Sequence, residues 1–342
     1  MTTHLHSILT QWYSQRDECR WVLGSVIAIE GSNYRKTGAM ILVNELGQYF
    51  GLISGGCLEK SLLLEVKKVL TYNRPQRVCY DSTEHSDSPW AMSLGCGGKV
   101  TILLQPICAT NQYQQLDQLH QALQTRTPVS YGISLSDEHA CNQVYTHQQL
   151  QAMGTAPNSQ AEEFTLDSGQ TQLLVPVRPA THIVIFGGGI DAIPLVQMAS
   201  VLGWQVTLVD QRSGYAQAGN FSGAQRILRS SPDAPEVAAL LTTVDAAIVM
   251  THNIDRDAEA LHALQAFDLS YVGLLGPTHR KQKVLKRAGL VNTPLALYGP
   301  MGIPIGGDLP ESVALSALAQ CHQVLEALAR SQLHTTPQRQ AV

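Results

Sequence analysis

The chain has 342 residues, 44% of them apolar, a formal net charge of −4 and seven cysteines. That length suits two domains of roughly 100–200 residues each, and the acidic balance excludes a broad nucleic-acid footprint. An odd number of cysteines without any Cys-x-x-Cys pair argues against a zinc ribbon.

The first residues carry no basic stretch leading into an apolar core, so no signal peptide is expected. The most apolar stretch, residues 182–204, is broken by glycines, Asp191 and Pro194, and reads as strand–turn–helix instead of a membrane span. A reduced, cytoplasmic protein is the expectation, its cysteines either packing residues or reactive thiols.

In chain order, Leu5, Ile8, Leu9, Trp12 and Tyr13 recur at helical spacing. Residues 21–29 are nearly continuous in apolar side chains, as in a buried strand. A turn-rich loop over 30–38 holds Arg35. Strands are expected over 39–43 and 49–51. Then comes Ser54-Gly55-Gly56-Cys57-Leu58-Glu59, after which Leu62, Leu63, Val66 and Val69 return at helical spacing. This first cysteine turn therefore sits at a helix start. A strand is expected over 77–80, a polar loop over 81–89, and another strand over 99–104. That last strand is entered from a second cysteine turn, Leu94-Gly95-Cys96-Gly97-Gly98. A polar-faced helix is expected over 113–124. Residues 127–179 read as strand-like pieces with a hairpin around Ser168-Gly169, and Pro176 and Pro179 mark a boundary. Beyond it, buried strands over 182–186, 205–210, 246–250 and 271–275 alternate with helices. The fold class is α/β: an N-terminal α+β domain (1–178), a Rossmann-like doubly wound parallel-sheet domain (179–330) and a polar tail (331–342).

Gly187-Gly188-Gly189, with Ala192 close behind and Asp210 some twenty residues on, fits the dinucleotide fingerprint in its Ala-ended form. The glycines permit a tight turn and close approach of a pyrophosphate, and the helix start offers free N–H groups. Asp210 would accept from a ribose hydroxyl. Against this, the Asp191 carboxylate competes with phosphate for the helix dipole, and Arg212 suits a 2′-phosphate or another ligand.

A thiol at a helix start, such as Cys57, has its pKa lowered, and a soft thiolate holds molybdenum, sulfur or copper. A buried packing cysteine is the other reading. Cys96 has the same ambiguity, but two cysteines wedged between glycines suggest close ligand approach. Cys19, Cys79, Cys108, Cys141 and Cys321 lack such flanks and read as structural. Arg35 suits phosphate or carboxylate, or is a solvated loop charge. His252 follows a strand of the parallel sheet, where ligands bind beyond the carboxyl ends, or it neighbours a helix cap. Asp308 is a candidate N-cap of a helix over 313–328.

Together these stretches resemble the XdhC/CoxI family of molybdenum-cofactor maturation proteins. The matching pieces are Gly31-Ser32-x-x-Arg35-x-x-Gly38-Ala39-Met40, Ser54 to Glu59, Gly95-Cys96-Gly97-Gly98, Val209-Asp210-Gln211-Arg212, Met250-Thr251-His252, Gly273-Leu274-Leu275-Gly276, and the run from Gly302 to Ser316. Gln320 departs from the family pattern, which often has an acid there. The resemblance implies a chaperone, not a turnover enzyme. Such a chaperone binds the molybdenum cofactor (molybdopterin or its dinucleotide form), supports its sulfuration by a cysteine desulfurase, and delivers it to the apoprotein of a xanthine-dehydrogenase-type molybdoenzyme. A homodimer is implied, with no nucleic-acid or membrane partner. By position, Cys57 and Cys96 are the candidate thiols and candidate ligands of the molybdenum centre. Gly55, Gly56, Arg35, Gly187, Gly188, Gly189, Asp210 and His252 are candidate cofactor contacts. Two alternatives stand. The fingerprint alone suggests an NAD(P)-dependent oxidoreductase, with His252 as its acid or base. Cys57 alone suggests a sulfurtransferase, but Glu59, two residues on, does not face it on a helix.

Overall fold

The computed structural model describes residues 4–54, 58–81, 98–136, 141–156, 158, 160–290 and 295–331. The chain divides into two compact units, Met1–Pro179 and Ala180–Val342.

In the first unit, α1 (Leu5–Gln15) precedes β1 (Trp21–Glu30), β2 (Met40–Asn44), β3 (Tyr49–Gly51), α2 (Glu59–Tyr72), β4 (Gln76–Asp81) and β5 (Lys99–Ile107). The strands form an antiparallel sheet in the order β3-β2-β1-β5-β4. The unbroken apolar run of β1 has a direct cause, since both faces of the sheet are covered. Val22 and Val26 meet Leu62, Val66 and Val69 of α2 on one face. Trp21 and Leu23 meet Ile8, Leu9 and Trp12 of α1 on the other.

The helix expected over 113–124 is shorter: α3 spans Leu116–Gln124. Gln112, Tyr113, Gln114 and Gln115 stand at φ between 50° and 60°, a left-handed turn that L-residues adopt only when held there. The Tyr131 hydroxyl donates to the Gln114 carbonyl at 2.6 Å, and the Asn142 N–H donates to Gln114 Oε1 at 3.2 Å. After α3 come β6 (Val129–Ser134), β7 (Gln143–Thr146), α4 (His147–Ala152), β8 (Glu162–Thr165) and β9 (Thr171–Val177), whose strands pair as β7-β6-β9-β8. The expected hairpin is β8–β9, with Thr165 opposite Thr171 and Gly169 at φ 82° in the turn. Of the cysteines read as structural, Cys321 is buried, but Cys79 and Cys141 are exposed. Cys79 sits at an outward position of β4, an edge strand whose burial alternates.

The second unit contains β10 (His182–Phe186), α5 (Ala192–Val201), β11 (Gln205–Val209), β12 (Arg226–Leu228), α6 (Pro235–Leu241), β13 (Ala246–Val249), α7 (Ile254–Leu264), β14 (Tyr271–Leu274), α8 (Thr278–Ala288), β15 (Leu297–Tyr298) and α9 (Pro310–Ser331). The sheet is parallel throughout, ordered β12-β11-β10-β13-β14-β15. Strand order reverses between β10 and β13, which opens a crevice at their carboxyl ends. Ala192, Leu195, Ala314 and Leu318 of α5 and α9 cover one face. Val237, Leu261 and Val284 of α6, α7 and α8 cover the other. β12 and β15 were not expected, because two or three residues carry no periodicity. Leu309, and not Asp308, precedes α9: its carbonyl accepts the first helical bond from the Val313 N–H. Gln320 pairs its amide with both the N–H and the carbonyl of Gly302, at 2.8 and 3.1 Å. A carboxylate would accept the first of these bonds and be unable to donate the second. Among the described residues, no helix is long and apolar enough to cross a membrane.

One buried polar cluster joins the two sheets of the first unit. Asn142 Nδ2 donates to Gln105 Oε1 at 2.9 Å and to the Tyr131 hydroxyl at 3.0 Å, and Asn142 Oδ1 accepts from the Ser134 N–H at 2.8 Å. Gln105, Tyr131 and Asn142 are no more than 1% exposed. Asn142→Ala strips partners from several buried groups at once. Each such group costs about 1–3 kcal/mol, so urea denaturation is expected to show a loss of at least that size, while the exposed Asn158→Ala stays near wild type.

Candidate functional site

The register of the first sheet gathers separated motifs. Glu30 at the end of β1 pairs with Lys99 at the start of β5, which pairs with Asp81 at the end of β4. Gly51 at the end of β3 pairs with Ile41 near the start of β2. The loop holding Arg35, the first cysteine turn and the second cysteine turn therefore all leave from one edge of the sheet. Contact there is tight. A Cβ on Gly98 would lie 2.2 Å from the Ser32 carbonyl oxygen, and Asn33 Nδ2 donates to the Lys99 carbonyl at 3.2 Å. Arg35 is half-buried in this loop and makes no hydrogen bond or ion pair with a described residue.

Gly55, Gly56, Cys57 and Cys96 lie outside the described residues, but both ends of the first turn are described. Glu59 is 4% exposed. Its carboxylate accepts from the N–H and the hydroxyl of Ser54, and Ser54 Oγ accepts from the Leu58 N–H at 3.1 Å. Ser54 and Leu58, the two ends of the first turn, are thereby drawn together. Glu59→Ala removes the buried acceptor of the Ser54 N–H and hydroxyl; thermal melts are expected to show a loss of about 1–3 kcal/mol, much of it recovered in Glu59→Gln, whose carbonyl still accepts.

In the second unit, Gly187–Gly189 follow β10 at the strand-order reversal. A Cβ on Gly187 (φ 119°) would lie 2.5 Å from the Met250 carbonyl oxygen, and one on Gly188 would lie 2.5 Å from Ala216 N. Only glycine fits against the two flanking loops. The N–H groups of Gly189, Ile190 and Asp191 donate to no described residue, so the start of α5 keeps open donors. The turn borders a cavity of about 790 Å³, lined also by Arg212, Tyr215, Thr251 and His252.

Asp210 lies under this turn and is 5% exposed. It accepts from the Gly188 N–H at 2.8 Å, from the Arg212 N–H at 3.0 Å, and from Arg212 Nε and Nη2 at 2.9 and 2.6 Å. Burial pushes its carboxyl up, but the guanidinium and the two backbone N–H groups outweigh that and hold it below the usual range. Arg212 Nη1 also donates to the Thr251 carbonyl at 3.1 Å, tying β11 to β13. His252 is more than half exposed and stands at φ 61°, a strained backbone for a histidine. Its Nε2 lies 2.5 Å from Asp191 Oδ2, and the Asp191 carboxylate makes no capping bond to α5. The competitor for the helix dipole is therefore engaged sideways by His252.

The sheet crevice brings Gly187, Gly188, Gly189, Asp210 and His252 together. Sequence reasoning passed over Tyr215 and Asp257. Asp257 is fully buried; it accepts from the N–H and hydroxyl of Thr251 and forms an ion pair with Arg280 at 2.6 Å, at an angle short of a hydrogen bond. The available signal was its position, one turn beyond the capping Asn253. Asp210→Ala removes the carboxylate that pairs Arg212 Nε and Nη2 and the Gly188 N–H, at a cost of about 3 kcal/mol. Because the folded-state pKa is lowered, Asp210 stabilises the fold above the free carboxyl value near 4 and that contribution fades as pH falls through the folded value. The gap between wild type and variant in denaturant titrations is expected to be full at neutral pH and to shrink below about pH 4.

Comparison with known proteins agrees in both units. A model of the XdhC Rossmann domain matches residues 183–321, and a model of the XdhC and CoxI family matches residues 14–81. The chain is 25% identical over 336 residues to a probable xanthine dehydrogenase subunit of Bacillus subtilis, covering 95% of this chain and 99% of that protein. It is 25% identical over 308 residues to the molybdenum cofactor insertion chaperone PaoD of Escherichia coli, covering 89% and 83%. The crystal structure of a xanthine dehydrogenase from Bacillus halodurans superposes over 98% of both chains, with TM-score 0.78 and 27% identity. With one family matched in each unit and both matches set in the expected folds, the chain belongs to the XdhC and CoxI family.

Proposed function

We propose that this protein is a chaperone that binds the molybdenum cofactor, supports its sulfuration and delivers it to the apoprotein of a xanthine-dehydrogenase-type enzyme. The observation that carries the reading is the shared sheet edge, from which the Arg35 loop and both cysteine turns leave. Cys57 and Cys96, on loops that begin and end there, are the thiols for the soft end of the cofactor. Gly55 and Gly56 give it room, and Arg35 supplies an anion contact. In the second unit, taken by itself, the open N–H groups beyond Gly188 suit a phosphate group, with Asp210 holding the turn and His252 holding Asp191 aside. The cofactor, when bound, supplies a metal–sulfur centre and a phosphate-bearing tail; the protein's part is to hold, cover and release it. A cysteine desulfurase and the molybdoenzyme are the cytoplasmic partners, and the working unit is a homodimer. The name borne by the PaoD relative supports the same role.

The two alternatives each meet an obstacle. An NAD(P) ribose would need the Asp210 carboxylate, which Arg212 and Gly188 occupy. A thiol nucleophile at Cys57 would need a base, and the Glu59 carboxylate is taken by Ser54.

Anaerobic purification from a cofactor-producing host, followed by pterin and nucleotide analysis, tests the reading. Stoichiometric pterin is expected, lost about tenfold or more in Cys57→Ser or Cys96→Ser and weakened in Arg35→Ala, which removes a charged contact. Bound NAD(P) with steady turnover and no pterin would overturn it.

A further inference from the structure

Tyr215 has no part in the function proposed above, yet it is the aromatic ring of the second-unit cavity best placed to meet a ligand. It is 40% exposed and lines the cavity of about 790 Å³. Arg212 Cζ stands 3.5 Å from its ring centroid. That guanidinium is pinned in its own plane by both Asp210 oxygens and by the Thr251 carbonyl. An immobile cation thus stands against the ring and draws electron density from it, while the residue stays 40% exposed in the lining of the cavity. The loop is also locked to the glycine turn. The Tyr215 N–H donates to the Arg212 carbonyl at 3.1 Å, and the Ala216 N–H donates to the Gly188 carbonyl at 3.1 Å. Ala216 itself is fully buried at φ 50°. Ring and turn therefore form one rigid pair of loops on one cavity.

We infer that Tyr215, backed by Arg212, is a stacking platform for the planar nitrogen heterocycle of a ligand whose phosphate sits at the glycine turn. The inference rests on the reading of that turn as a phosphate site. A ring needed only for packing would be buried; this one is 40% exposed, carries a guanidinium against it and lines the cavity. Stacking of this kind accepts any flat π-face, so the ligand class is a phosphate ester of a planar heterocycle, shared by nucleotides and pterin phosphates.

Calorimetric titration of the full chain with inorganic pyrophosphate, guanosine diphosphate, cytidine diphosphate and 6-hydroxymethylpterin diphosphate separates the parts. Ring-bearing probes are expected to bind more tightly than pyrophosphate. Tyr215→Ala is expected to lose about tenfold or more of that affinity while pyrophosphate binding is unchanged, and Tyr215→Phe to retain it. A gain confined to the nucleotides, or to the pterin, supports the platform and names its occupant. Equal binding of pyrophosphate and all ring-bearing probes, or a Tyr215→Ala variant indistinguishable from wild type, overturns the platform. Tyr215-dependent binding of rings without any pyrophosphate binding keeps the platform and overturns the phosphate reading; no binding by any probe overturns both. A melting temperature close to wild type certifies that Tyr215→Ala is folded.

Discussion

A single buried carboxylate organises the second unit. Asp210 ends β11, reaches sideways to the Gly188 N–H after β10, and holds the guanidinium that reaches the Thr251 carbonyl after β13. Three neighbouring strand ends are thus joined through one acid and one base. A buried charge of this kind is tolerable only when its lone pairs are filled, and here they are. The consequence is positional. The glycine turn, the Arg212–Tyr215 pair and the loop bearing His252 are held against one another by the protein's own contacts.

The first unit solves a different problem by a different means. Among the described residues no single side chain gathers its motifs; the antiparallel register does. β1 and β3 end, and β5 begins, at the same edge, so segments more than forty residues apart in the chain share a neighbourhood. The close approach of Gly98 to the Ser32 carbonyl shows how little room that edge leaves for a side chain. The opposite side of the same sheet is fixed by the Gln105–Asn142–Tyr131 cluster, whose polar groups satisfy one another where no water reaches.

Much of this was legible in the residues. Long apolar runs announced β1, β10, β11 and β13, and the triple glycine at Gly187–Gly189 announced a close approach, here of the loops bearing Met250 and Ala216. The left-handed turn at Gln112–Gln115 was not legible, because it is held by Tyr131 and Asn142 from other elements. Nor were β12 and β15, which are too short to show a period. Asp191 looked like an obstacle to phosphate; its bond to His252 comes from a residue sixty-one positions away.

The sequence by itself determined the fold class, the parallel sheet of the second half and the residue types at each turn, because burial period and glycine geometry act within a few neighbours. Only the tertiary structure decided what those residues touch. It showed that Asp210 is occupied by Arg212 and Gly188, that Glu59 serves Ser54, and that Gln320 braces Gly302. Hydrogen bonds and ion pairs depend on distances between atoms far apart in the chain, and those distances are set by strand register and packing, not by local spacing.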